Sequence, residues 1–302
     1  MVVVPAGVLE RYPRFSLYNS PYVAHDEGCA IDLYPQTDDA PDSDDAVNSD
    51  DAPSPVAGEV VATRTVSAPP KPYAVANDHL IVVDTGDHLA RMLHVEPGVE
   101  PGDRVRVGDS LGEMVRSGFF APWVDNHIHL GFRERDADPY RASGSLRVEA
   151  GVEVEPVLWD GAGVVVERAD TYVVLDSPDH PAPGERFAGI ACEEGEVLDG
   201  GLPHYDGGGV LGGDTLGEES NDASETAAAA AVSLAGRQVG VAEGRTVAWD
   251  DVTVLANGTP ITGISLCCSR RASFGAKLVC PDAEFTVGEE VEVRFEAQTP
   301  PA

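Results

Sequence analysis

Gly98-Val-Glu-Pro-Gly-Asp-Arg-Val-Arg-Val-Gly-Asp-Ser-Leu-Gly112 decides the fold. Its apolar residues come singly, at Val99, Val105, Val107 and Leu111, between Gly102, Gly108 and Gly112. Glycine at such spacing serves short strands that reverse tightly. The flanks read the same way. Gly58–Val66, Leu80–Asp84 and His127–Phe132 are β runs set between Gly, Pro and Asp turns, with no helical period. The expectation is an all-β domain over residues 1–145, with an acidic insertion at 36–54 that forms a solvated loop.

From about residue 146 a second β-rich region is expected, running to 302. Leu146–Ala150, Gly163–Arg168 and Thr171–Asp176 read as strands, as do Val252–Leu255, Ile261–Cys267 and Glu290–Phe295. Asn257-Gly258 marks a hairpin turn. The Gly, Asp and Glu content of 194–226 predicts a long loop, and Ala227–Ala231 fits a short helix or more of that loop.

Composition excludes several functions. The formal net charge is -32, from 52 acidic against 20 basic residues, and Lys71 and Lys277 are the only lysines. No basic stripe exists to bind nucleic acid. Acidity that pervades even the strand-like segments resembles proteins of haloarchaea, where molar salt screens self-repulsion. No stretch reads as a secretory signal or a membrane span, so the expected address is the cytoplasm. The five cysteines lack zinc-finger spacing and are expected as reduced thiols. Nothing in the chain sets an oligomeric state.

The chemistry-bearing residues come in a fixed order. His25 and Asp32 precede Ser54-Pro-Val-Ala-Gly-Glu-Val-Val61; then come His94, the glycine ladder and His127-Ile-His129. In a strand, residues two apart share a face, so His127 and His129 can line one pocket. Imidazole and carboxylate suit zinc.

This order resembles M23-type (LytM/lysostaphin-like) metallopeptidases over about residues 20–135. The resemblance implies a barrel-sandwich domain of the duplicated-hybrid-motif type and zinc-dependent hydrolysis of a peptide or related amide. It implies His25, Asp32 and His129 as zinc ligands. It implies His94 and His127 as catalytic groups, exposed in a groove and outside the metal's own ligand set. The family's commonest motif spaces its first His and Asp four apart, whereas His25 and Asp32 are seven apart. An odd offset on a regular strand separates them by face, so a bulge or loop after Glu27-Gly28 is required. Met92 stands where the family has Tyr, and Leu130-Gly131 where it has Phe-Glu. A module of the same fold without catalysis is the alternative. A lipoyl-type carrier is excluded, because no turn presents a lysine: the nearest, Lys71, lies in Pro-Pro-Lys-Pro.

Overall fold

The computed structural model describes residues 1–35, 50–212 and 229–297. The chain divides into two compact units: Met1–Phe15 with Glu27–Val152, and Ser16–Asp26 with Glu153–Ala302. Up to residue 152 the elements are β1 (Val2–Pro5), α1 (Ala6–Leu9), β2 (Arg14–Ser16), α2 (Val23–Asp26), β3 (Ala30–Tyr34), β4 (Asp51–Pro53), β5 (Gly58–Ser67), β6 (Asn77–Asp84), β7 (His88–Leu93), β8 (Val95–Pro97), β9 (Arg104–Val105), β10 (Ser110–Met114), β11 (Ile128–Glu134) and β12 (Val148–Gly151).

The main sheet of the first unit is antiparallel, in the order β3-β11-β7-β6-β5-β9. A second sheet has the order β4-β10-β8. The chain passes from β7 to β8 through His94, which adopts φ 71. A left-handed backbone at a non-glycine residue carries strain, so His94 is held there by its surroundings. The glycine ladder works as its spacing suggests. Gly112 has φ 134, and a Cβ there would sit 2.0 Å from the Glu96 carbonyl oxygen across the β10–β8 pair. The sheets do not close into a barrel among the described residues, so the all-β expectation holds without closure.

β11 sorts its residues by face. Ile128, Leu130 and Phe132 are buried in the core, each burial contributing about 1.5–3 kcal/mol. His129, Gly131 and Arg133 take the other face by alternation. The neighbour β3 does the same, with Ile31 and Leu33 in the core and Asp32 on the polar face.

The second unit is built around Trp159, Val165, Leu175, Leu198, Val232 and Phe295, among others. Asn257 and Gly258 have φ of 49 and 77 and join Val252–Ala256 to Thr259–Ile261, as the hairpin signal implied.

Four sequence expectations need correction. The first unit ends at Val152 rather than 145, because β12 pairs with β1, and Ser16–Asp26 groups with the second unit. Of the acidic insertion, 36–49 lies outside the described residues, but Asp51–Pro53 pairs with β10 and Ala52 is fully buried. The supposed loop at 194–226 contains strands Val197–Leu202 and Gly207–Leu211, while 213–226 lies outside the described residues. There glycine serves packing rather than turning: a Cβ on Gly208 would meet the Trp249 ring at 2.2 Å, and one on Gly209 the Tyr18 ring at 2.3 Å. Ala230–Leu234 is a strand, not a helix.

Candidate metal centre

The antiparallel pairing of β11 with β3 sets His129 directly opposite Asp32. Cross-strand partners share a face, and the His129 Nδ1 lies 3.0 Å from Asp32 Oδ1. His127, just before β11, places its Nε2 3.3 Å from Asp32 Oδ2. Asp32 is 2% exposed, so its carboxylate meets imidazole nitrogens rather than water.

His25 reaches this group by leaving the strand. It stands in the single turn α2, and Gly28, at φ 63, turns the chain before β3 begins. The required break after Glu27 is therefore present, as a turn and not a bulge. Candidate ligand atoms of His25, Asp32 and His129 all lie within 4.8 Å of one another.

Hydrogen bonds fix the tautomers. The His25 Nδ1 is 2.6 Å from the Leu17 carbonyl, and the His127 Nδ1 is 2.9 Å from the Asp125 carbonyl. A carbonyl only accepts, so each Nδ1 carries the proton and each neutral ring keeps its lone pair on Nε2. In His127 that lone pair faces a carboxylate oxygen. Burial pushes the His127 imidazole down to about 4, against the opposing pull of Asp32, so it stays neutral. Two acceptors at that distance repel unless a cation lies near both.

The donor set fits zinc. Zn–N and Zn–O bonds of ~2.0–2.2 Å place tetrahedral ligand atoms roughly 3.4 Å apart, within reach of the observed cluster. A carbonyl on the distal nitrogen, as at His25, is the usual support of a metal-binding imidazole.

His94 is not among these ligands. Its Nδ1–H donates to Asp78 Oδ2 at 2.6 Å, and its backbone N–H donates to Asp78 Oδ1 at 3.0 Å. The Ser117 hydroxyl donates to Asp78 at 2.5 Å. These contacts hold the strained backbone at residue 94. Burial pushes the Asp78 carboxyl up, but His94, Ser117 and the His79 amide outweigh it and hold it at about 2. The His94 ring centroid lies 5.2 Å from His127, 5.8 Å from His129 and 4.6 Å from Phe120.

The five residues singled out from the sequence thus come together. Their setting differs from the expected groove: His94 is 7% and His127 3% exposed, covered by Phe120 and, over His127, Tyr34. The side chain of His129, 15% exposed, is more open than those of Asp32, His94 and His127. Sequence reasoning missed Asp78, Ser117 and the Asp125 carbonyl. His204, considered for a second metal site, lies in the second unit against Tyr205, and burial holds it at about 4.

Family models for the Domain of unknown function (DUF8155) N-terminal domain and C-terminal domain match residues 3–150 and 155–296. No curated protein and no solved structure matches the chain. Among the described residues no helix is long and apolar enough to cross a membrane.

Proposed function

The chain belongs to the DUF8155 family, and we propose that its N-terminal domain is an M23-like zinc hydrolase of a peptide or related amide bond. His25, Asp32 and His129 hold the metal. One observation supports the reading: candidate ligand atoms of His25, the buried Asp32 and His129 lie within 4.8 Å of one another, the two imidazoles and one carboxylate of an open zinc site. Zinc held by these three residues would supply Lewis acidity, to polarise a carbonyl and activate water near neutral pH.

The chain's own residues do the rest. Asp78 keeps the proton of His94 on Nδ1, so Nε2 is the ring atom at which a proton can be taken up and returned. His127, fixed by the Asp125 carbonyl, offers its Nε2 beside Asp32. Phe120 and Tyr34 cover these rings and exclude bulk water. The same burial favours a second reading, a metal-binding module without turnover.

A screen of peptides and amides in molar salt, with zinc present, separates the two. Turnover is expected, and His94→Ala or His127→Ala lowers it by at least about 100-fold while zinc content is unchanged. Retained zinc with no turnover on any substrate supports the module.

A further inference from the structure

In a chain of 52 acidic and 20 basic residues, a buried arginine without a carboxylate is an anomaly. Arg91 is one. It is 8% exposed, and among the described residues it makes no side-chain hydrogen bond or ion pair; its Nε is buried without a partner. Several exposed arginines are paired: Arg104 with Glu59, Arg135 with Asp84, Arg294 with Glu292.

A second cation lies beside it. Arg91 on β7 is opposite Gly131 on β11, and Arg133 is opposite Leu89. Alternation puts Arg91, Gly131 and Arg133 on one face, with the two arginines as diagonal neighbours. Arg133 is 2% exposed. Its guanidinium donates to the carbonyls of Ser143 and Arg141 at 2.5 and 2.6 Å, which hold it in place but leave its charge without a carboxylate in contact. Burial, then Arg133, pushes Arg91 down to about 10, against the opposing pull of Asp138.

Gly131 itself puts no side chain opposite Arg91, and the nearest side-chain atom to a Cβ there is the Ser145 Oγ at 3.7 Å. A Cβ there would meet nothing nearer than the Cys29 carbonyl oxygen at 3.6 Å, and its φ is not left-handed, so the backbone does not demand glycine. Asp138 acts on both charges only from beyond ion-pair distance, and two buried cations stay costly without an anion in contact.

We propose that Arg91 and Arg133 form an oxyanion-binding site for the carboxylate or phosphate group of a ligand, over Gly131. A planar guanidinium matches either group with paired hydrogen bonds. His129 lies two residues along the same face of β11, one pleat repeat of ~7 Å from Gly131. If the hydrolase reading holds, the site selects substrates that carry an anion at that distance from the scissile bond; this last step rests on that reading, while the binding site does not.

The test is calorimetric titration with sodium phosphate and, separately, sodium acetate at constant ionic strength. The proteins are the full-length wild type, Arg91→Met, Arg91→Lys and His129→Ala. Wild type and His129→Ala are expected to bind the anion alike, which separates this site from any metal. Arg91→Met weakens binding at least 10-fold, and Arg91→Lys falls between, having charge without the fork. Acetate binding tighter than phosphate assigns a carboxylate ligand; the reverse assigns a phosphate. Without anion, Arg91→Met melts no lower than wild type, since it removes an unneutralised charge. No binding to wild type, or equal binding to Arg91→Met, overturns the proposal. Should Arg91→Met fail to fold, Arg91→Lys with wild-type affinity overturns it.

Discussion

Asp32 and Asp199 are both buried carboxylates, 2% and 0% exposed, yet their surroundings differ in kind. Asp199, in the second unit, accepts the Ser16 hydroxyl at 2.6 Å and the backbone N–H groups of Leu17 and Tyr18 at 2.6 and 3.2 Å. Every one of these is an ordinary donor, and the arrangement ties a strand end to the core. Asp32, in the first unit, has imidazole nitrogens at the same range, one of them presenting a lone pair. A carboxylate ringed by donors is complete. A carboxylate set among imidazoles, one of which turns a lone pair towards it, is a candidate site.

Exchange of each carboxylate for its amide breaks this comparison most sharply. Asp32→Asn is expected to weaken zinc binding by about 100-fold or more while the fold persists. Asp199→Asn, linked to the ligands only through Leu17 and the His25 that Leu17 supports, is expected to weaken zinc binding by less than about 10-fold and chiefly to change stability, because the amide keeps the shape but cannot accept all three donors. Equal loss of zinc from both variants, read by competition with a chromogenic chelator, contradicts the distinction.

Much of this was legible in the sequence. Asp32 is a charge inside the apolar run Ala30-Ile-Asp-Leu33, and His127-Ile-His129 shows two imidazoles on one face. The glycine ladder gave the short strands because backbone reversal leaves a local mark. Asp78 left none: in a chain with 52 acidic residues, one more at the head of a strand carries no signal. The burial of His94 and His127 depends on Phe120, which reaches them by tertiary packing that no local pattern encodes. Gly208 and Gly209 misled for the opposite reason, since glycine chosen for contact with Trp249 and Tyr18 reads like glycine chosen for a turn.

A smaller effect sharpens the contrast between carboxylates through pH. Burial raises the folded-state Asp199 pKa to about 6, from 3.8, against the pull of its donors. Its folded form binds the proton more tightly, so stability is gained as pH falls from 6 towards 4, by about 3 kcal/mol at most. Asp78 runs the other way. Its pKa of about 2, below 3.8, gives stability that is present above pH 3.8 and lost as pH falls through 2, roughly 2 kcal/mol. Denaturant titrations at pH 7 and 5 should therefore show wild type gaining on Asp199→Asn at the lower pH. No such gain is expected relative to Asp78→Asn in that interval. A wild type that loses on Asp199→Asn at pH 5 would reverse the sign assigned here.

The most direct test of the central claim is the zinc content of the full-length protein purified in high salt, measured by mass spectrometry beside His129→Ala. The account expects one zinc per chain in the wild type and none in the folded variant. A metal-free wild type after incubation with zinc, or a His129→Ala protein that retains a full equivalent, would contradict it.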